Sequence, residues 1–102
     1  MKKIINGKLY DTATAEFIGS YDNGGTPSDF DYVEETLYRK KNGEFFIHGM
    51  GGARSKYSVV SSDGWHSGGE KITPKDEAAA KKWSEEHISA DKYIEVFGAV
   101  EE

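Results

Sequence analysis

The chain has no cysteine among its 102 residues. This absence excludes disulfide bonds, thiolate metal sites and cysteine nucleophiles, and it suits a protein that folds in a reducing cytoplasm. Long apolar runs are also missing, since no stretch approaches the about 20 residues that cross a bilayer. The basic start Met1–Lys3 is followed by only two apolar residues before Asn6, which is too short for a secretory signal. We therefore expect a cytoplasmic protein without a membrane segment.

Motifs of catalysis are missing as well. The chain contains no G-x-S-x-G nucleophile elbow. The glycine-rich stretch Gly49–Ser55 lacks the G-x-x-x-x-G-K-[ST] register of a phosphate-binding loop, and we interpret it as a crossover between strands. The adjacent Glu34 and Glu35 would point to opposite faces of a strand, so they do not form an acid–base pair. The sequence predicts no catalytic residues and favours a protein that is not an enzyme.

The chain is rich in aromatic residues, glycine and acidic residues. Aromatic residues make up 13% of the chain, and 12 glycines indicate many turns, so a folded, sheet-rich body is favoured. Residues 1–102 fit a single domain. The formal net charge of −5 disfavours direct binding to nucleic acid and suits a partner with a basic surface. The alternative is that this charge serves solubility alone.

Two Asn-Gly pairs are each flanked by strand-forming residues and predict β-hairpins. The first has strands 3–5 and 8–10 around Asn6-Gly7, and the second has strands 32–40 and 44–49 around Asn42-Gly43. Asn-Gly favours the positive φ angles of a two-residue type I′ turn, which we predict for both. Both faces of the second hairpin are partly apolar, so we expect one side covered and aromatics presented on the other. Residues 12–21 fit a short helix or a strand, and we favour the strand.

The last third of the chain changes from strand to helix patterning. Thr73 is a candidate N-cap, and Pro74 suits the first position of a helix. Ser89 is predicted to cap a second, shorter helix that ends at Gly98. The predicted fold is therefore α+β, with an antiparallel sheet of about four to five strands and two C-terminal helices packed on one face.

Three histidines are the natural metal ligands of this chain besides its carboxylates: His48, His66 and His87. No two of them have the i, i+4 spacing that places two imidazoles on one helical face. They would meet only if the fold brought a strand, a loop and a helix together, with Asp63 or Glu70 completing a zinc site. We favour ordinary surface or packing histidines and predict no cofactor, with zinc as the alternative.

Candidate partner-binding residues are of two kinds. Acidic candidates form two patches. The first contains Asp29, Asp31, Glu34 and Glu35, and the second contains Glu85 and Glu86. The aromatic kind supplies the anchors Tyr38, Phe46 and Trp65. Acidic side chains steer the approach of a basic partner, and buried aromatic anchors supply much of the affinity at protein interfaces. The alternative for the acidic patches is a solvated surface without a partner.

Four stretches give the chain a resemblance to known proteins: IINGKLYDT at residues 4–12, EETLYRKKNGEFFIHGMGGARSKY at 34–57, KITPKDEAAAKKW at 71–83 and ADKYIEVFG at 90–98. Together they cover most of the chain, and the hairpin with its Gly-Gly continuation is the most specific part. The chain resembles small proteins encoded by phages and mobile elements of Gram-positive bacteria. In size and genomic context those proteins resemble anti-CRISPR proteins, which block Cas nucleases.

The resemblance implies an inhibitor that acts in the cytoplasm of a bacterial host, without a cofactor, by binding a CRISPR effector such as Cas9. Binding would block nucleic-acid loading or cleavage, and the basic nucleic-acid channels of Cas9 suit an acidic inhibitor. The resemblance transfers no functional residues, because it rests on size and context. The alternative is an accessory interaction module that serves the mobile element itself. Either protein would be a monomer or a homodimer.

Overall fold

A computed structural model describes all residues, 1–102. Its strands and helices are β1 (Lys2–Ile5), β2 (Lys8–Asp11), β3 (Glu16–Asp22), β4 (Val33–Arg39), β5 (Phe45–Gly51), β6 (Val59–Val60), β7 (His66–Ser67), β8 (Gly69–Lys75), α1 (Glu77–His87) and α2 (Ala90–Phe97). The main sheet is antiparallel, with four strands in the order β3-β4-β5-β8. The pairs β1–β2 and β6–β7 form separate two-stranded hairpins. The predicted α+β class and the four-stranded sheet are confirmed.

One face of the main sheet packs against the two helices. The alternation of side chains along the strands places Leu37 of β4 opposite Ile47 of β5, both pointing toward α1. A buried cluster fills this layer, and we call it the helix-side core: Ile18, Leu37, Phe45, Ile47, Ala80 and Trp83. The C-terminal helices lie on one face of the sheet, as predicted. Neither helix has the length and apolar character required to cross a bilayer.

The other face of the sheet is covered over part of its area by the hairpin β1–β2. Tyr10 of this hairpin packs edge-on against Phe46 at 5.5 Å between ring centroids, and Tyr38 stacks on Phe46 at 5.3 Å. Tyr10, Phe46 and Ile72 form a second buried cluster, the hairpin-side core. Phe46 has 0% of its surface exposed. The prediction of Phe46 as a partner-binding anchor is therefore wrong, because the N-terminal hairpin folds back over it.

The two Asn-Gly turns that were predicted to close hairpins differ from each other. Asn6 and Gly7 both have positive φ, 51° and 78°, and connect β1 to β2 as the predicted two-residue turn. In the second hairpin only Gly43 has positive φ, and the backbone of Lys40 pairs with that of Glu44 across a three-residue loop. The predicted two-residue turn is wrong there. The side chain of Asn42 accepts from the Glu44 amide at 3.0 Å instead, which supports the longer loop.

The first helix begins later than predicted. Thr73 and Pro74 belong to β8, which pairs with β5 over seven residues. Proline is tolerated there because β8 is an edge strand with a neighbour on one side only. Asp76 is the N-cap of α1, and its carboxylate accepts from the Ala79 amide at 2.8 Å. For α2 the predictions are confirmed, since Ser89 caps its start and Gly98, with φ 96°, follows its last residue.

The two edge strands of the main sheet are irregular. The preference for strand over helix within residues 12–21 is confirmed by β3, which begins at Glu16. The register between β3 and β4 shifts at Ile18, so β3 carries a β-bulge. On the opposite edge, Pro74 removes one backbone N–H from β8.

Candidate protein-binding surface

Two loops and the hairpin β6–β7 build one end of the main sheet, which we call the loop end. Its loops are residues 23–32 and 52–58. They are joined by backbone hydrogen bonds, from the Gly52 amide to the Tyr32 carbonyl at 3.0 Å and from the Arg54 amide to the Phe30 carbonyl at 2.8 Å. A Cβ at Gly52 would lie 2.5 Å from the carbonyl oxygen of Phe30 and closer still to that of Asp29. The two loops therefore require glycine at this close approach.

Large apolar side chains are exposed at the loop end. Phe30 is 62% and Trp65 74% exposed, and a cleft of about 670 Å³ is lined by both of them. The Arg54 guanidinium lies 5.4 Å from the centre of the Phe30 ring and 3.5 Å from the carboxylate of Asp31. We call the exposed set the aromatic tip: Phe30, Val59, Val60 and Trp65.

A buried carboxylate supports this end from beneath. Glu35 lies on the helix face of β4, 6% exposed. It accepts hydrogen bonds from the Trp83 indole N–H at 3.1 Å, from the Lys56 ammonium at 2.7 Å and from the Tyr57 hydroxyl. Gly49 lies directly across from Glu35 in β5, and a Cβ there would overlap the Tyr57 ring. Glycine at 49 therefore makes room for the tyrosine that holds loop 52–58 to the sheet.

The protonation states of this network follow from its contacts. Burial alone raises the pKa of Glu35, but the hydrogen bonds from Lys56, Tyr57 and Trp83 outweigh it, so the pKa lies below its ordinary 4.5. Burial, together with the hydrogen bond to Glu35, raises the pKa of Tyr57 well above its ordinary value. At neutral pH Glu35 is ionised and Tyr57 protonated. The prediction that Glu35 steers a partner is wrong, because its carboxylate is enclosed by its own donors.

The other acidic residues predicted to bind a partner lie in three places. Asp29 and Asp31 are exposed in loop 23–32. Glu34 is on the sheet face opposite the helices and accepts from the Tyr32 hydroxyl at 2.8 Å, a contact that raises the pKa of Tyr32 to about 12. The two acids of the helical layer are exposed on α1: Glu85 and Glu86. The fold thus places the loop acids beside the aromatic tip and the helix acids on a different layer.

The two remaining aromatic anchors, Trp65 and Tyr38, lie on different parts of the protein. Trp65 is the most exposed large apolar side chain, and it lies in the aromatic tip as described. Tyr38 is half-buried between two rings, with centroids 6.3 Å from Phe17 and 5.3 Å from Phe46. Tyr38 therefore serves first as part of the hairpin-side core.

The three histidines predicted as candidate metal ligands do not come together. His48 lies in β5 and its Nε2 is 2.9 Å from the Glu70 carboxylate. His66 is exposed in β7. His87 stacks on Tyr21 at 3.9 Å between ring centroids. No group of three or more histidine or carboxylate side chains is arranged to hold a metal ion.

Sequence patterns did not reveal three members of the aromatic tip: Phe30, Val59 and Val60. Phe30 lies in a stretch of turn-forming residues, where a lone large aromatic is itself a signal of a surface contact. Val59 and Val60 are strand-forming residues, but β6 is only two residues long and both side chains are more than half exposed.

Comparisons with protein-family models, with curated proteins and with solved structures each found no match.

Proposed function

We propose that this protein works by binding a protein partner through the aromatic tip, without catalysing a reaction. The observation that carries the proposal is the 74% exposure of Trp65, which lies in the turn of the hairpin β6–β7 and shares a cleft with Phe30 and Arg54 of the joined loops. Leaving a tryptophan in water forgoes the roughly 2–3 kcal/mol that burial of a large apolar side chain provides. Trp is also among the residues that dominate the binding energy of protein interfaces.

The bracing beneath the tip supports the same proposal. Association is opposed by the entropy of ordering loops and side chains at the interface. Here loops 23–32 and 52–58 are already joined by backbone hydrogen bonds and anchored through Tyr57 to Glu35. Less order therefore has to be imposed when a partner arrives, so more of the contact energy is available as affinity.

The partner class follows from charge and from the resemblance. Asp29, Asp31 and Asp63 are exposed near the tip, where Arg54 pairs with Asp31, and the chain as a whole carries −5. This surface suits a basic protein. We therefore propose a CRISPR effector of the bacterial host as the partner, with Cas9 as the first candidate, because its nucleic-acid channels are basic. The protein would act as a stoichiometric inhibitor in the bacterial cytoplasm.

A cleavage assay tests the proposal. Purified Cas9 with its guide RNA is incubated with increasing amounts of the protein before target DNA is added. We expect cleavage to stop near equimolar protein, and Trp65→Ala to raise the required concentration about 30-fold, as expected for the loss of roughly 2 kcal/mol at a hot spot. Ile94→Ala is the matched control, since it truncates an exposed apolar residue on α2.

The outcomes separate the partner from the surface. Full cleavage at a large excess of the protein would reject Cas9 as the partner. Capture of a protein encoded by a mobile element, lost in Trp65→Ala but not in Ile94→Ala, would support the accessory module and keep the aromatic tip as its surface. Equal inhibition by the wild type and both variants would reject the tip.

A further inference from the structure

The face of the main sheet turned away from the helices is covered only in part. The hairpin β1–β2 buries Phe46 and Ile72 on this face. Beyond them the same face continues toward the loop end, and its side chains there are exposed or half-buried: Ser20, Asp22, Glu34, Thr36, His48, Met50 and Glu70. We call this area the open half. Met50 belongs to the interior strand β5, where a residue on a covered face is normally buried, and it is only half-buried.

The register places four of these residues in one row across the sheet. Asp22 pairs with Glu34, Glu34 with Met50, and Met50 with Glu70. Neighbouring strands are about 4.8 Å apart, so the row spans roughly 14 Å. Its order is acid, acid, apolar, acid. Like charges directly opposite each other destabilise a sheet, and Asp22 and Glu34 are such a pair.

Two of the three carboxylates of this row, Asp22 and Glu34, form no ion pair within the chain, although ten ion pairs form in the protein. The hydrogen bonds of these two are to neutral donors, from the Gly24 amide to Asp22 at 2.8 Å and from the Tyr32 hydroxyl to Glu34 at 2.8 Å. The Glu70 carboxylate lies 2.9 Å from Nε2 of His48. Cations from outside the chain would therefore remove an internal repulsion.

We infer that the open half docks a basic amphipathic helix of the protein partner. This inference rests on the proposed function and adds a second contact surface to it. A helix with its side chains is about 10 Å across, and the row along which it would lie is roughly 14 Å long. Met50 is the single apolar side chain at the centre of the row, and methionine adapts to varied apolar partners.

The spacing of the row specifies the pattern of the helix. Strands at steps of about 4.8 Å lie at roughly 0, 5, 10 and 14 Å along a helix that crosses them. With a rise of about 1.5 Å per residue, helix positions i, i+3, i+7 and i+10 fall at nearly the same distances. The helix therefore carries Lys or Arg at i, i+3 and i+10, facing Asp22, Glu34 and Glu70. At i+7 it carries an apolar residue that faces Met50.

A synthetic peptide tests this without knowledge of the partner. The probe is a capped, alanine-based helix with Lys at the three basic positions and Leu at the apolar one. The control peptide has the same composition with the Lys and Leu positions scrambled. We expect the probe to shift the amide NMR signals of residues 20–22, 34–36 and 48–50, and the scrambled peptide to shift them much less. Equal shifts by both peptides, or shifts spread over every acidic surface, would overturn the inference.

A charge-matched pair of variants tests the same surface with the full partner. One variant carries Asp22→Asn, Glu34→Gln and Glu70→Gln. The other carries Glu77→Gln, Glu95→Gln and Glu101→Gln, three exposed acids of the helices and the C-terminal tail. Both lose three charges. We expect the first to bind the peptide, and Cas9 where Cas9 is the partner, about tenfold more weakly, and the second less than twofold.

The results distinguish this inference from the proposed function. If Trp65→Ala no longer inhibits Cas9 but the open-half variant (Asp22→Asn, Glu34→Gln, Glu70→Gln) inhibits it as well as the wild type does, the aromatic tip is supported as the binding surface. The same result would reject the helix-docking surface. Peptide binding at the open half without any effect on Cas9 would keep the surface and reject that partner. A homodimer in sedimentation that dissociates in the open-half variant would assign the face to a second copy and overturn the inference.

Discussion

The indole N–H of Trp83 donates a hydrogen bond of 3.1 Å to the buried carboxylate of Glu35 and so ties α1 to β4. The same carboxylate accepts a hydrogen bond from the hydroxyl of Tyr57, which belongs to loop 52–58 of the loop end. One side chain thus connects the helical layer, the sheet and the candidate surface. Its removal leaves a buried indole N–H and a buried phenol without their acceptor, which is the most damaging kind of polar loss.

Glu35→Ala is expected to lower the free energy of unfolding by about 3 kcal/mol, since it leaves two buried donors unpaired and opens a cavity. Urea denaturation followed by tryptophan fluorescence measures this. Glu34→Ala is the control, because Glu34 is the adjacent residue of β4 on the opposite face, and it should cost less than about 1 kcal/mol. Similar losses in the two variants would contradict the role assigned to Glu35.

Stability should fall as the solution is acidified, and Glu35 should account for part of that fall. The pKa of Glu35 in the folded state lies below its ordinary 4.5. Its contribution is therefore present above pH 4.5 and is lost as the pH falls through the folded pKa. Denaturation midpoints of the wild type and Glu35→Gln are measured from pH 7 to pH 2.5. The two midpoints should converge at the acid end, and the pH dependence of their difference should correspond to the uptake of roughly one proton.

The acid response that remains in Glu35→Gln should come from other carboxylates. Hydrogen bonds from Lys8, Asn42 and Lys40 hold the pKa of Glu44 at about 2. The Glu44 side chain is 34% exposed, so salt should weaken this residual response. Parallel pH profiles for the wild type and Glu35→Gln would show that Glu35 keeps the same pKa in the folded and unfolded chain.

Truncation of a buried and of an exposed aromatic residue should change stability by very different amounts. Phe46→Ala empties the hairpin-side core and is expected to cost about 3–5 kcal/mol of stability. Trp65→Ala removes a side chain that is 74% exposed and should change stability by less than about 1 kcal/mol. Thermal or urea unfolding of both variants measures the contrast. A stable Phe46→Ala protein would mean that the hairpin β1–β2 does not cover this residue in solution.

The start of α1 can be located by capping variants. Asp76→Ala removes the acceptor of the Ala79 amide and should cost about 1 kcal/mol. It should also speed hydrogen exchange in the first turn of α1. Thr73→Ala changes a residue within β8 and should leave exchange in that turn unchanged. The reverse result would place the helix start at Thr73.

Local signals in the sequence were sufficient where structure depends on a few neighbouring residues. Asn6-Gly7 specified its own turn, and Ser89 with Gly98 delimited α2, because each acts on backbone within four residues. The second Asn-Gly pair shows the limit of such signals. The Asn42 side chain bonds to Glu44 and stabilises a three-residue loop, an option that the dipeptide alone does not reveal.

Which strand residues are buried depends on contacts between residues far apart in the chain, and local sequence patterns do not reveal those contacts. Glu35 is buried by Tyr57 and Trp83, which lie 22 and 48 residues away in the chain. Phe46 is buried by Tyr10 of the first hairpin. On a strand, each of these side chains fits a core or a surface equally well. The candidate surface has the same origin, since Phe30 and Trp65 line one cleft only after loop 52–58 is fixed.

The bulge at Ile18 and the proline at Pro74 have a consequence for self-association. An incoming strand adds to a sheet by extending a continuous ladder of N–H and C=O groups. The bulge bends one edge, and the proline removes a donor from the other. Neither border of the main sheet offers a straight, complete ladder, so growth into fibres by the addition of strands is disfavoured at both sides. Association is thereby directed to side chains, where recognition can be selective.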